Sequence, residues 1–341
     1  LKKSKKYILI CLLLCVLISL FITNLLLGSI YIPAKYILSI ISGNILQNET
    51  WNTIIIQSRL PRALGATIAG AALSVSGLLM QVLFRNPLAG PYILGISSGA
   101  GLGVALVTLG TASIGISFVP TGFSLIASAS IGALLIFSII FILSLRVKDI
   151  MTLLIAGVLI GSIANALVSI IQAHSSAVAV KTFVLWTMAS LDQLNLSDIR
   201  ILYIVCITAI VGSLIISKSL NALLMGEKYA RSVGINININ RVFIILLSGI
   251  LAASITAFCG PIGFIGIMVP HIVRILFKTS QHHLLILYSV LTGSCVLLLS
   301  DLVAHFLIKS YLLPLNAVTA LIGIPIILWL MLGKKNISAN F

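Results

Sequence analysis

Charge is what this chain has least of. Only 8% of its 341 residues are Asp, Glu, Lys or Arg, against roughly a quarter in soluble domains, and six of them are acids. So little charge cannot keep a globule in solution, and 60% hydrophobic content with a mean hydropathy of +1.23 points the same way. A phosphate loop is also missing. No GxxxxGK[ST] occurs, and Gly333-Lys334-Lys335 lacks the first glycine and the hydroxyl such a loop needs, so the chain alone is not expected to hydrolyse ATP. The five cysteines (Cys11, Cys15, Cys206, Cys259, Cys295) form no CxxC pair and read as small buried hydrophobes, with no disulfide framework or metal site. No separate soluble domain stands out. What these absences leave is an all-α polytopic membrane protein, a single transmembrane domain over 1–341 with membrane lipid as its surroundings. In that setting the net charge of +15 reflects topology rather than nucleic-acid binding.

Hydropathy and helix breakers give about ten transmembrane segments: 7–27, 63–83, 92–112, 118–144, 150–172, 199–217, 241–259, 262–277, 284–308 and 314–333. The eighth is interrupted by Pro270, His271 and Arg274. The opening KKSKK and Tyr7–Leu27 imitate a secretory signal, but the apolar run is too long for one and predicts a retained first span. With the N-terminus in the cytoplasm, only Lys35, Arg59, Arg62, Lys181, Arg200 and Lys309 of the 21 lysines and arginines fall outside, and both termini lie inside. Of the longer polar stretches, 28–61 holds YIPAKYILSIISG, a candidate interfacial helix with its tyrosines at the headgroups. The stretch 174–198, with Trp186, predicts a short helix dipping into the membrane. Gly90-Pro91 and Gly260-Pro261 each begin or break a span, at opposite faces in this topology, as in the inverted repeats of transporters. His282-His283 beside Lys278 reads as a solvated inside loop.

Arg59 to Gly103 is the most informative stretch. Two arginines flank Pro61 at its outer entrance, and two fixed guanidiniums beside a stiff backbone suit a carboxylate from an extracellular partner as well as they suit interfacial snorkelling. The uncharged run 64–83 carries Gly65, Ala66, Ala69, Gly70, Ala71, Ala72, Ser74, Ser76 and Gly77, small residues that let helices approach closely in lipid. The run ends in Asn86-Pro87-Leu88. Further on, the inside loop at about 218–240 reads as two short helices broken at Gly226 and Gly234, with Glu227, Lys228 and Arg231 exposed. It is either a solvated loop or a docking element for a cytoplasmic partner. Asp301 is the one acid inside an apolar run. It serves an ion relay or is paired to His305, Lys309 or a neighbouring arginine, and the latter is favoured because a relay lacks its second carboxylate.

These motifs, in this order, resemble the membrane-spanning permease subunits of type II ABC importers for ferric siderophores, haem and vitamin B12. The resemblance covers 59–332 and rests on RLPR, GAALSVSGLLMQ, NPLA, GEKYARSVG (226–234), GPIGFIGIMVPH (260–271), DLVA from Asp301 and VTALIGIP (318–325). It implies a ten-helix subunit working as a homodimer, or with a close paralogue, in a bacterial cytoplasmic membrane. Two ATP-binding subunits, which hold the ATP and Mg, dock inside, and a substrate-binding protein docks outside. It further implies that Gly226, Glu227, Ala230, Arg231 and Gly234 form the coupling helices. Asn86 and Leu88 belong to the cytoplasmic gate, the small-residue span walls the transport path, and Arg59 and Arg62 belong to an arginine socket for the binding protein. The socket's third arginine is here His305. Leu312 replaces a usual acid and Asn316 a common glycine, and Ile150 and Met151 do not keep the small polar pair of a B12 permease. No cofactor on this chain is implied, and a ferric siderophore is the expected cargo. The rival readings are an ion-coupled secondary transporter using Asp301 and a non-transporting assembly protein.

Overall fold

The structure, a computed structural model, describes residues 3–28, 30–41, 49–110, 121–147, 149–306 and 313–333, and these are helical with no strand. Lys309 and Leu312 lie outside the described residues. In chain order the helices are α1 (Lys3–Leu26), the short α2 (Ala34–Ile41), α3 (Glu49–Phe84) and α4 (Ile96–Gly110). Then come α5 (Gly122–Arg146), α6 (Ile150–Ala173), the short α7 (Ala177–Thr187), α8 (Leu196–Ile215), and the loop helices α9 (Ser217–Leu224) and α10 (Glu227–Ser232). The last four are α11 (Ile237–Cys259), α12 (Ile265–Phe277), α13 (His282–Phe306) and α14 (Leu315–Gly333). Each of the ten predicted segments holds an apolar helix, and α2, α7, α9 and α10 supply the predicted short ones.

Polar side chains at the loops set where helices begin. Thr121, Asp149, Ser176, Asn195 and Asn236 accept hydrogen bonds from the free amides that open α5, α6, α7, α8 and α11, and Asn195 with Asp198 makes a reciprocal capping box. α3 has a different opening. Pro61 lacks the amide that would bond back to Gln57, and the six residues Ile54–Arg59, separated from it by Leu60, form a π-helical turn inside a 36-residue helix.

α3 is the pillar of the bundle. Its most apolar stretch is 94% buried, against 17% for α1, because α8, α11, α12 and α13 surround it. The small residues make this possible. A Cβ on Gly70 would collide with the carbonyl oxygen of Gly293 on α13, and one on Gly77 with that of Gly266 on α12. Between them the Ser76 and Ser248 hydroxyls bond at 2.7 Å, joining α3 to α11. The predicted close packing is therefore present, but the chain's own helices use it up. Within this subunit the run 65–77 is buried at every position but Thr67, which leaves little of it to wall a transport path.

α12 has 13 residues, about 20 Å of helix, too short for a hydrocarbon core of roughly 30 Å. It starts at the depth of Gly77, and the non-helical segment 260–264 descends to meet it. The turn at 90–95 approaches the same place from the other end, where the Ile262 amide donates to Tyr92 Oη at 3.3 Å. Gly90-Pro91 thus packs against the start of α12, while Gly260-Pro261 stays at the other end beside the 186–190 segment, and the irregular backbone between them is tolerated because protein surrounds it. Asn316 fastens this junction: its Oδ1 accepts from the Gly263 amide at 3.0 Å, and its own amide donates to the Met188 carbonyl at the end of α7.

Three further expectations change. Cys206, Cys259 and Cys295 are buried, but Cys11 and Cys15 lie on the exposed face of α1, where apolar side chains meet lipid. His282 is not solvated: it opens α13 fully buried, with its ring nitrogen Nδ1 at 2.8 Å from Asn221 Oδ1 on α9. Of the tyrosines on the 28–61 stretch, Tyr31 is exposed, but Tyr36 is buried edge-on against Trp51 and pins α2 to α3.

Candidate functional site: charged clusters at the two ends of one helix

Arg62, just after Pro61 in α3, and Arg85, just past the end of that helix, stand about 34 Å apart along it at 1.5 Å per residue. Each sits in a charged cluster. The two ends are called outer and inner after the charge bias.

At the outer end Arg59 and Arg62 go separate ways. Arg59 is 3% exposed and donates to the carbonyls of Leu25 and Leu26, at 2.8 and 3.0 Å, and to that of Ile30. It closes the last turn of α1, whose end carbonyls have no partner within the helix, and occupies the place a Cβ on Gly28 would take, so a side chain there would displace the guanidinium. Arg59 is therefore not presented to an outside carboxylate in this structure. Arg62 is also buried, with Nε 3.1 Å from Asp301 Oδ2 and Nη1 3.7 Å from Asp192 Oδ1. Asp301 is the buried acid of the apolar run, and its partners are Arg62 and His305, two of those expected for a paired acid. His305 completes the group. Its Nδ1 is 2.9 Å from the Asp301 main-chain oxygen, and its Nε2 is 3.1 Å from Asp192 Oδ1.

Asp192 was not singled out in the sequence, where it stands in a polar run with Gln193 and Asp198. Burial alone would push its carboxyl up. The hydrogen bond and charge of His305, followed by the charge of Arg62, outweigh that and hold it below the usual carboxylate range.

At the inner end, α10 is bracketed by Gly226 (φ 110°) and Gly234 (φ 82°), conformations that L side chains rarely adopt. Ala230 packs inward while Lys228, Tyr229 and Arg231 face out. Glu227 Oε1 lies 3.7 Å from Arg85 Nη2 and 3.9 Å from Arg241 Nη2 on α11. Arg241 also donates to the Val147 carbonyl between α5 and α6, at 3.4 Å. Arg85 is the left-handed cap of α3 (φ 45°), a place where glycine is usual, and Asn86 follows. Asn86 Oδ1 accepts from the Leu88 amide at 2.9 Å, which fixes the Asn-Pro turn and leaves the Leu88 side chain exposed. Neither Arg85 nor Arg241 stood out in the sequence. Their signal was the scarcity of acids, since every acid in such a chain calls for a named partner.

A cavity of about 140 Å³ at the outer end, lined by Trp186, Ser190, Gln193, Asn195, Asp198 and Phe258, is well under the roughly 300–1,000 Å³ of ligand pockets.

The decisive comparison is with the FecCD transport family, whose profile matches residues 13–333. The chain belongs to that family. Among its relatives, the hemin transport system permease protein HmuU of Yersinia pestis is 36% identical over 296 residues, 84% of this chain and 87% of that one. The vitamin B12 import system permease protein BtuC of Salmonella typhi is 36% identical over 277 residues, 81% of this chain and 82% of that one. A solved inward-facing structure, assigned to the metal-chelate type of ABC transporter, superposes with a TM-score of 0.81 at 29% identity, covering 94% of this chain and 98% of that one. PsaBC from Streptococcus pneumoniae, at 15% identity and a TM-score of 0.52, shares the fold. This FecCD member is thus a multi-pass membrane protein with the type II ABC importer permease fold.

Proposed function

We propose that the chain is the permease subunit of an ATP-driven importer that carries an iron chelate, a ferric siderophore first, across a bacterial cytoplasmic membrane. Two copies, or one copy and a close paralogue, form the path. Two ATP-binding subunits dock at the inner end and a substrate-binding protein at the outer end. ATP is bound and hydrolysed on the partner subunits.

The observation that carries this reading is the inner cluster. A glycine-bracketed helix shows Lys228, Tyr229 and Arg231 outward and holds, through Glu227, both the turn after α3 and the start of α11. A partner that pulls on α10 therefore moves Arg85 and, one residue on, the Asn86–Leu88 turn proposed as the inner gate. The apolar side chains left exposed on α6 and α14, among them Ile155, Leu159, Leu321 and Leu328, suit either lipid or a second copy. Displacing the equilibrium between outward and inward states almost completely takes about 5 kcal/mol of differential binding, which a nucleotide-driven partner can supply.

The family and the heme and B12 relatives support the class of large chelates, and Ile150 and Met151 favour iron chelates over B12. The test is uptake by proteoliposomes holding the permease with its ATP-binding subunits and binding protein. A labelled ferric hydroxamate or catecholate should enter with ATP inside. Entry of haem or cobalamin in its place would move the assignment to that cargo.

A further inference from the structure

The outer cluster has more donors than it uses. Buried Arg62 Nη2 has no hydrogen-bond partner among the described residues, and the Arg62 Nε and Asp301 Oδ2 pair, though 3.1 Å apart, is not aligned as a hydrogen bond. Asp192 is added to this pair from a different element. It lies in the segment 188–195 between α7 and α8, is half-exposed, and reaches both Arg62 and His305 with one oxygen. Both nitrogens of His305 face oxygens, Nδ1 the Asp301 main-chain oxygen and Nε2 Asp192 Oδ1. The groups facing His305 are thus Asp301 on its own helix, Arg62 on α3 and Asp192 on the loop.

The segment that Asp192 holds is also tied to the helix junction. The Ser190 amide donates to the Cys259 carbonyl at 2.9 Å, Asn316 donates to the Met188 carbonyl, and Gly260 is packed against the Trp186 carbonyl. Moving Asp192 therefore moves the end of α7, the foot of α14 and the entry to α12 together.

We infer that Asp192 is an internal occupant of the basic outer site formed by Arg62 and His305, and that a carboxylate-bearing surface of the docking protein competes with it for these two side chains. Docking then releases the 188–195 segment, so that arrival of the partner and loosening of the outer end are one event. Asp192 keeps the site closed in its absence. The proposal rests on the outside docking described under Proposed function.

The test is affinity of the purified substrate-binding protein, fixed on a sensor, for the whole transporter in nanodiscs. Asp192→Asn should bind it about three- to tenfold more tightly than wild type, since a partly exposed pair is exchanged for an intermolecular one. Asp192→Asn with His305→Gln should return to wild-type affinity or below. As a second readout, a cysteine at exposed Gln193 should react faster with a maleimide in the Asp192→Asn background, and faster still in wild type once the binding protein is added. Unchanged or weaker binding by Asp192→Asn overturns the competition, as does labelling that ignores both changes. If wild type shows no binding at all, the docking reading fails and takes the proposal with it; wild-type binding without the Asp192 effect fails the proposal alone.

Discussion

Glu227 Oε1 stands 3.7 Å from Arg85 Nη2, which connects an exposed loop helix to the residue that ends the most buried helix of the bundle. Both side chains are partly exposed, so this contact adds little to folding, about 0–1 kcal/mol. Its value lies in position. Arg85 accepts a left-handed backbone that would suit glycine better, and what glycine lacks is the side chain that meets Glu227.

The first prediction follows from that pair. Arg85→Ala should leave assembly with the ATP-binding subunits and ATP hydrolysis within about twofold of wild type while uptake falls about tenfold. Uptake and hydrolysis measured in the same vesicles check it. The exchange Arg85→Glu with Glu227→Arg should restore part of the uptake that either change alone removes.

Gly77 has the carbonyl of Gly266 where a Cβ would go, and this backbone cannot step aside without separating α3 from α12. Gly77→Val should destabilise the purified protein by about 1–3 kcal/mol or more, the range of overpacked cores. Gly101, with open space around its missing side chain, should accept Ala with little change. Thermal unfolding in detergent compares the two.

Asp301 and Arg62 are both buried, and each compensates the other. Asp301→Ala should cost about 3–5 kcal/mol by leaving the guanidinium unmatched, whereas Asp301→Leu with Arg62→Met should cost much less. The same double variant should lose docking of the binding protein, because the basic outer site goes with it. Unfolding and sensor binding on one preparation separate the two effects.

Asp192 gives a pH dependence with a definite sign. Its carboxyl is held below the ordinary value: burial opposes ionisation, but the hydrogen bond and charge of His305, then Arg62, prevail. A depressed folded value means stability that is fully present above the unfolded value, near 3.9, and lost as pH falls through the lower folded one. The difference in Tm between wild type and Asp192→Asn should therefore hold steady down to about pH 4 and shrink below it.

Much of this architecture was legible because membrane helices announce themselves. Apolar runs located the ten segments, Gly226 and Gly234 marked the ends of α10, and Asp301 could be read as paired because a lone acid in an apolar run needs a partner. What was not legible depends on distances between segments far apart in sequence. Nothing near Arg59 says that its guanidinium ends on the carbonyls of α1, more than thirty residues earlier. The small-residue face of α3 suggested close contact without saying with what, and neighbours within the same chain fill it. The Gly-Pro dipeptides marked two breaks in the spans, but not that α12 is short or that the turn after α3 folds back against its start.

The central claim is that this chain moves its cargo only when a separate ATPase drives it. The most direct measurement is ferric-siderophore uptake into proteoliposomes holding the permease alone under an imposed proton gradient, beside vesicles that also hold the ATP-binding subunits and binding protein with ATP inside. The account predicts uptake in the second preparation only, abolished when a non-hydrolysable analogue replaces ATP. Uptake by the permease alone, driven by protons and lost in Asp301→Asn, would contradict it.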